Sequence, residues 1–506
     1  MKKEVSDILK SSRKISARKV SALLLALLTA GGTLLSCGSA EAAPENADTA
    51  GASTEPAAAE TEPADPFEGL AREDYGGREF HFLVRILNQE DYWTEAENGE
   101  VFNDTVYARN RLVEEAYNTK ITAIPIAGEW EDRSTYLKTL SGSVFAGDGA
   151  YDLVDGYAAI IGDGYADGLY RNLNEIPNLR LDSPWWSSII RNELTVNGRL
   201  FAMTGDIAVS IWKQMQVMFF NKEILAQYDL DSPYALVKDG KWTFDAYLSM
   251  LRGIGNDVNG DGKMDGQDRY GAVYYDALTF DNLHNAFGVT YTTHNADGTL
   301  TLDLCNEHTI NIQKLATDLA YNNPDVYFDT RVVGESREAV RGMFISGQGL
   351  FYCSVLNDAS VMRDMNADFG ILPYPKENEA QERYYTTSRD GRSMLAVPTD
   401  APDPAFAGMI TEAMCAAGSN TLIPVYYDTV LKGKTTRDEE SAEMLDIIRA
   451  GLILDFSAEY AVQTERSGFV IRDCIEQKKE LTSFYASKEK TIMKAFDKFM
   501  TAYYGE

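Results

Sequence analysis

The alternation of strand and helix patterns near the start of the ordered sequence most constrains the fold. Residues 79–84, 120–126 and 151–155 are short apolar runs typical of strands. Between them, residues 105–117 and 134–145 carry apolar side chains at helical spacing. Strands that alternate with helices form a parallel sheet covered by helices. We therefore predict an α/β fold.

Further strand and helix patterns follow along the chain. A chain of 506 residues is also too long for one ordinary core, which favours two lobes. The tail after residue 403 is mostly helical in pattern. The further predicted strands are 216–220, 269–275, 349–354, 368–372 and 393–398, and the further predicted helices are 222–228, 243–254, 309–319, 336–344, 404–416, 440–451, 459–471 and 487–503.

The N-terminus carries targeting information. Residues 1–19 contain seven Lys or Arg, and residues 20–35 form an apolar run that is short for a membrane span. The run ends in Leu-Leu-Ser-Cys37, which resembles the lipobox of bacterial lipoproteins. The resemblance implies cleavage of a 1–36 signal peptide and a lipid on the Cys37 thiol, which places the chain on the extracellular face of the membrane. An ordinary signal peptide with a chance cysteine is the alternative.

Residues 37–69 are predicted to be a disordered tether. The segment is rich in Ala, Glu, Pro and Thr and has almost no large apolar side chains, so it cannot bury a core. A flexible acidic tether suits a protein that is anchored by a lipid at one end.

Charge and missing motifs narrow the function. The formal net charge of −30 repels phosphate backbones, so we predict that the protein does not bind nucleic acid. The sequence has no G-x-S-x-G, Walker loop, H-E-x-x-H or G-x-G-x-x-G, and its four histidines lack metal-ligand spacing. We therefore predict that the protein is not an enzyme.

The four remaining cysteines are widely spaced. Cys305, Cys353, Cys415 and Cys474 contain no C-x-x-C pair, so neither a zinc site nor a redox motif is indicated. The apolar context of Cys353 favours buried free thiols. Two disulfides remain the alternative.

Several segments together resemble the extracellular solute-binding proteins of ABC importers, in the branch that includes carbohydrate binders. The resemblance rests on the lipobox, on the order of the predicted strands and helices, and on the segments 103–107, 151–154, 197–201, 219–223 and 368–373. It implies a periplasmic-binding-protein-like type II fold, with two α/β lobes joined by a hinge and a ligand cleft between them. Lobe 1 would comprise residues 70–205 and 390–422, and lobe 2 residues 206–389 and 423–506. The chain would cross between lobes near Gly205 and again at 386–393.

Residues 257–268 match the calcium-loop pattern. Oxygen-bearing side chains recur at alternating positions, and Gly262 allows the sharp turn of such a loop. Position 12 is Asp rather than Glu, and an extended segment follows, so we expect a structural Ca²⁺ rather than a paired regulatory site. A solvated Asp/Gly turn is the alternative. The predicted ligands are Asp257, Asn259, Asp261, Lys263 (through its carbonyl), Asp265 and Asp268.

Ligand contacts are expected from aromatic and polar side chains at predicted strand ends and crossings. Aromatic rings stack on sugars, and Asp, Asn and Arg bind hydroxyl groups. The predicted function is capture of a sugar or oligosaccharide by a monomer that delivers it to ABC permease subunits. A lipid-anchored glycoside hydrolase and a noncatalytic glycan-binding adhesin are the alternatives. The candidate ligand-binding residues are Tyr92, Trp93, Tyr157, Asp206, Trp212, Asn282, Asn357 and Arg389.

Overall fold

A computed structural model describes residues 65–504, except residue 332 and the side chains of residues 278, 333, 434 and 435. The predicted signal peptide, Cys37 and all but the last residues of the predicted tether lie outside this part of the chain. The described strands are β1 (Arg78–Arg85), β2 (Thr119–Ile126), β3 (Leu153–Tyr157), β4 (Gln216–Asn221), β5 (Tyr270–Tyr274), β6 (Thr292–His294), β7 (Leu300–Leu302), β8 (Val326–Phe328), β9 (Gly349–Val355), β10 (Phe369–Leu372) and β11 (Ser393–Ala396).

Four of these strands form the first sheet, in the order β11-β3-β1-β2. Strands β1, β2 and β3 run parallel, with Phe82 opposite both Ala123 and Leu153. Strand β11 comes from much later in the chain and pairs antiparallel with β3. The inner residues of β1 and β3 are fully buried, as expected for a sheet covered on both faces.

The second sheet has five strands, in the order β10-β4-β9-β5-β8. Strands β5, β8 and β9 run parallel, whereas β4 is antiparallel to both of its neighbours. Every residue of β4, β5, β9 and β10 is buried. Strands β6 and β7 form a separate hairpin. The prediction of an α/β fold is confirmed.

Helices surround both sheets. The longer ones are Val101–Tyr117, Arg133–Ala146, Ser188–Leu194, Lys222–Gln227, Pro233–Lys238, Phe244–Leu251, Asp281–Ala286, Glu307–Tyr321, Val333–Ile345, Pro404–Asn420, Val425–Thr435 (π-helical), Glu439–Ala450, Val470–Gln477 and Leu481–Tyr504. Single turns are Ile86–Asn88, Gln89–Tyr92, Trp130–Asp132, Ala158–Ile161, Asp163–Ala166, Leu173–Glu175, Ser210–Lys213, Ala277–Phe280, Asp358–Val361, Leu422–Pro424, Phe456–Glu459 and Ser467–Phe469.

Two chain segments that connect the sheets are paired with each other. The Gln216 amide donates to the Thr387 carbonyl at 3.0 Å, and the Arg389 amide donates to the Gln214 carbonyl at 2.9 Å. A third pass joins them, because the Ile453 amide donates to the Thr386 carbonyl at 2.8 Å. These backbone hydrogen bonds hold the three passes together at the connection. The predicted division of residues between lobes stays a prediction.

The prediction of a helix at residues 459–471 is wrong. The chain instead forms the short turns Phe456–Glu459 and Ser467–Phe469, followed by helix Val470–Gln477. Glu465 and Arg466 both have a left-handed backbone, with φ of 54° and 64°. A Cβ atom on Gly468 would collide with the backbone of Ala458, so this position accepts only glycine. The pattern of apolar residues continued through the break and concealed it.

The four cysteines of the described chain are free thiols, and three of them are buried. Disulfides are therefore not the arrangement of this structure. Among residues 65–504, no described helix combines the length and the apolar character needed to cross a membrane.

Candidate ligand-binding cleft

A cavity of about 700 Å³ lies between the two sheets. One wall carries Trp130, which follows β2, and Tyr157, which ends β3. The opposite wall carries Asp276, which follows β5, and Phe328, which ends β8. The cavity therefore faces the carboxyl ends of parallel strands from both sheets, where α/β proteins place their ligands. Its volume lies within the ~300–1,000 Å³ typical of small-molecule sites.

Arg85 organises the wall that belongs to the first sheet. Its side chain is fully buried at the end of β1, and its Nε donates to Asp155 Oδ2 at 3.3 Å. One terminal nitrogen donates to Glu129 Oε1 at 3.0 Å, and the other donates to Ser393 Oγ at 3.1 Å. The guanidinium carbon lies 5.3 Å from the centre of the Tyr157 ring. One cation thus joins β1, β3, the loop after β2 and the start of β11.

The electrostatics of this wall follow from burial. Burial raises the pKa of the Asp155 carboxyl, although the charge of Arg85 opposes that shift. Burial likewise raises the pKa of Glu129, again against the attraction of Arg85. Both carboxylates therefore depend on the Arg85 guanidinium to remain charged without a large free-energy cost.

Trp130 is the most exposed aromatic side chain of the cavity wall. About 40% of its surface is accessible. The Arg133 guanidinium lies 4.3 Å from the centre of the indole ring and donates to the Trp130 carbonyl at 2.7 Å. The arginine covers one region of the ring and holds its backbone in place, so Trp130 presents a fixed apolar surface at the cavity.

The wall that belongs to the second sheet is mainly aromatic. The ring of Phe328 packs edge-on against Phe280 at 5.3 Å and against Tyr321 at 5.5 Å. The Tyr321 hydroxyl donates to the Ile475 carbonyl at 2.9 Å. This contact joins the aromatic wall to the helix Val470–Gln477.

Arg389 and Asp390 lie where the returning segment passes between the sheets. A terminal nitrogen of Arg389 donates to the Tyr275 hydroxyl at 3.0 Å, and the Tyr157 hydroxyl donates to Asp390 Oδ1 at 3.5 Å. Burial lowers the pKa of Arg389, but Tyr275 and Asp390 more than offset this effect, so the net shift is upward. A donor-rich and an acceptor-rich side chain therefore lie next to each other at the cavity.

A third wall comes from the C-terminal part of the chain. The left-handed turn at Glu465 and Arg466 directs Arg466, Phe469 and Arg472 to the cavity. The Arg472 guanidinium lies 3.7 Å from the centre of the Phe469 ring and forms a buried ion pair with Asp281. Burial lowers the pKa of Arg472 to about 10, so the residue stays charged at neutral pH.

Two of the eight predicted ligand-binding residues, Tyr157 and Arg389, line the cavity. The other six do not. Tyr92 is buried with its ring 4.8 Å from that of Phe82. Asn282 is also buried and accepts the Thr387 amide at 3.1 Å.

The remaining four predicted residues lie nearer the surface. Trp93 is half-buried, and Trp212 lies 4.6 Å from the Arg449 guanidinium. Asp206 is half-buried, and burial raises its pKa to about 6. Asn357 is exposed. The sequence reasoning missed four residues of the cavity wall: Trp130, Phe328, Asp390 and Phe469. Two of them had a local signal in the sequence. Trp130 follows a predicted strand, and Asp390 lies on a predicted crossing between lobes.

The loop at residues 257–268 forms a tight turn at the surface. Gly262 has a φ of 80°, and its amide donates to Asp257 Oδ2 at 2.8 Å. The buried carboxylate of Asp268 accepts the amides of Val258 and Asp265 at 3.0 and 2.8 Å. Within residues 65–504, the described His, Cys, Asp and Glu side chains form no group of three that could hold a metal ion. The carboxylates of this turn accept hydrogen bonds from backbone amides, and the predicted Ca²⁺ site stays a prediction.

The chain was compared with known proteins by sequence and by structure. No protein-family model matches the sequence, and no curated protein does either. Solved structures do match. The ABC substrate-binding protein of Listeria monocytogenes in complex with cycloalternan has a TM-score of 0.53 and 10% identity, and the match covers 83% of this chain and 99% of that one.

Two further solved structures extend the comparison. The GacH receptor of Streptomyces glaucescens, solved unliganded and with acarbose, has a TM-score of 0.53 and 12% identity, over 83% of this chain and 98% of that one. UgpB of Mycobacterium tuberculosis, in complex with glycerophosphocholine, has a TM-score of 0.52 and 13% identity, over 84% and 99%. At such identities the likeness establishes the fold alone.

The fold is therefore that of a periplasmic-binding-protein-like type II protein, as predicted. The resemblance to extracellular solute-binding proteins of ABC importers is confirmed at the level of the fold.

Proposed function

We propose that this chain is the extracellular solute-binding component of an ABC importer, and that it captures a sugar or oligosaccharide in the cavity between its sheets and delivers it to the permease. The observation that carries the proposal is the cavity itself. Aromatic rings and hydrogen-bonding side chains reach it from both sheets and from the segment that connects them. Proteins of this fold that were solved with cycloalternan and acarbose support the choice of a carbohydrate.

The mechanism follows from the position of the cavity. A ligand that contacts Trp130 and Tyr157 on one side and Phe328 on the other makes its full set of contacts only when both walls approach it. Binding and closure are then one equilibrium, since the ligand stabilises the closed state by its extra contacts there. The permease recognises the closed, loaded form. No covalent step is required, and the protein acts as a monomer.

Binding is tested by isothermal titration calorimetry against neutral and acidic oligosaccharides. Replacing Trp130 by Ala removes a stacking surface worth ~0.5–1.5 kcal/mol, so we expect the Kd of the sugar that binds to rise about 2- to 12-fold. Phe145→Ala is the matched control, because this aromatic side chain is 70% exposed and does not line the cavity.

Two outcomes would contradict this function. If no sugar binds while peptides or amino acids do, the carbohydrate assignment is wrong. If the protein releases shortened glycans from a glycan library, it is a hydrolase rather than a binding protein.

We further propose that a lipid on Cys37 holds the protein at the extracellular face of the membrane. The proposal rests on the sequence of residues 1–37. Growth with an alkyne-bearing fatty acid should label the parent protein, whereas Cys37→Ser should be unlabelled. Equal labelling of both would contradict the anchor.

We also propose that the loop at residues 257–268 binds a structural Ca²⁺. Support comes from the spacing of its oxygen-bearing side chains and from the left-handed turn at Gly262. The Asp257 and Asp268 carboxylates would coordinate the ion through lone pairs that their backbone amide partners leave free. Calcium should raise the thermal midpoint, as any ligand of the native state does, and Asp261→Asn should reduce the rise. A midpoint that is unchanged by calcium or by a chelator would contradict the site.

A further inference from the structure

The cavity wall contains four arginines, and three of them are already paired with carboxylates. Arg331 Nε donates to Asp329 Oδ2 at 2.8 Å, and Arg466 Nε donates to Asp473 Oδ1 at 2.9 Å. Arg472 forms its ion pair with Asp281. A paired guanidinium has little positive charge left to attract an anionic ligand, because its field is largely cancelled within a few ångströms.

Arg389 differs from these three arginines. Its guanidinium donates to the uncharged Tyr275 hydroxyl, and within the described residues no carboxylate oxygen lies within 4.0 Å of it. The adjacent Asp390 also contacts an uncharged partner, the Tyr157 hydroxyl. Arg389 therefore keeps free N–H donors and Asp390 keeps free acceptor positions at the same place in the cavity.

The carboxylates of the wall outnumber its arginines. Five acidic residues line the cavity, and the chain as a whole carries a net charge of −30. Glu129 is neutralised by Arg85, but the other four acids remain. A carboxylate or phosphate on the ligand would have to lose its hydration shell among them, and the one guanidinium of the described wall without a carboxylate partner, Arg389, lies directly beside Asp390. The five residues are Glu129, Glu131, Asp276, Asp390 and Glu476.

We propose that the ligand is an uncharged sugar whose neighbouring hydroxyl groups are bound by Arg389 and Asp390 together, and that the same cavity excludes acidic sugars. The inference rests on the proposed sugar-binding function and narrows its ligand class. Adjacent hydroxyls on a pyranose ring can accept from a guanidinium and donate to a carboxylate at once, so they match this pair chemically. Charge-assisted hydrogen bonds of this kind are the stronger ones.

The exclusion is tested by titration calorimetry of the parent protein with uncharged trisaccharides and with an acidic one. The probes are maltotriose, cellotriose and xylotriose on one side and trigalacturonate on the other. We expect at least one uncharged trisaccharide to bind and trigalacturonate to bind at least 100-fold more weakly. If trigalacturonate binds as tightly as the best uncharged probe, the inference fails while sugar capture stands. If none of the four binds, sugar capture itself fails and the inference falls with it.

Two variants test the assigned residues. Asp390→Asn should weaken the uncharged trisaccharide about 10- to 100-fold, because a hydrogen bond to a charged group is lost. The same change should reduce the ratio of the trigalacturonate Kd to the Kd of the uncharged trisaccharide. A purely structural defect would not change this ratio. Arg389→Gln should weaken binding of the uncharged trisaccharide by a similar factor, and Arg389→Lys should weaken its binding less.

The matched controls are Asp364→Asn and Arg363→Gln. These side chains are 93% and 74% exposed and lie outside the cavity wall, so neither change should alter the affinity. Unchanged thermal midpoints confirm that the variants fold. If Asp390→Asn folds and leaves both affinities as in the parent, the assignment of this residue is wrong.

Discussion

Replacement of Arg85 by Met tests whether one buried cation holds the first cavity wall together. The change removes the partner of Asp155, whose carboxylate is fully buried. It also removes the bonds to Glu129 and Ser393. Loss of one member of a buried ion pair leaves an uncompensated charge, which typically costs ~3–5 kcal/mol. We therefore expect the free energy of unfolding to fall by about that amount at pH 7.5.

The assay is urea denaturation followed by tryptophan fluorescence. Arg363→Met is the matched control, because its side chain is 74% exposed and should change stability by less than ~0.5 kcal/mol. The double variant Arg85→Met/Asp155→Leu should recover much of the loss, since two apolar residues replace the pair. The Arg85→Met defect should shrink as the pH falls, because protonation neutralises Asp155 and its folded pKa is already raised by burial.

A loss below ~1 kcal/mol at pH 7.5, or a loss that the double variant does not reduce, would refute the reasoning. Either result would mean that Asp155 and Glu129 are solvated or paired in another way, and that Arg85 is not the residue that joins the wall to β11.

Two further predictions concern stability. Burial, together with the charge of Asp455, raises the pKa of Glu193 from 4.5 to about 7, so between these pH values the folded chain retains a proton that the unfolded chain has released. The free energy of unfolding should therefore fall as pH rises through that window, and Glu193→Gln should be more stable than the parent at pH 8 by ~1–3 kcal/mol; a difference that does not vary from pH 4 to 8 would contradict this. Gly468→Ala should destabilise by at least ~1–3 kcal/mol because its methyl group meets the Ala458 backbone, whereas Gly342→Ala, on an open helix face, should stabilise by ~0.5–1 kcal/mol. Equal effects of the two substitutions in thermal melts would contradict the described turn.

Much of the fold was predictable because most of its strands are short, continuous apolar runs. Strands β1, β2, β4 and β9 begin and end within about two residues of the predicted limits. Strand β8 was not predicted, because it has only three residues between Pro324 and Asp329 and shows no periodicity. Propensity and pattern thus found the strands that bury many side chains and missed β6, β7 and β8, which have only three residues each.

The cavity was predictable only in part. Tyr157 was found because it follows a predicted strand, and Arg389 because it lies on a predicted crossing. Phe469 could not be found, since the helix predicted across it hides the left-handed turn that directs it to the cavity. The walls bring together residues from 129 to 476, and this proximity depends on the packing of two sheets and a C-terminal segment rather than on spacing within the sequence.

Closure of the two sheets around a guest is the central claim, and small-angle X-ray scattering tests it most directly. The sample is the chain without residues 1–36, measured alone and with a saturating amount of the trisaccharide that binds most tightly in calorimetry. We predict that the radius of gyration falls when the site is filled. A site that is saturated by calorimetry while the radius of gyration stays the same would contradict the account.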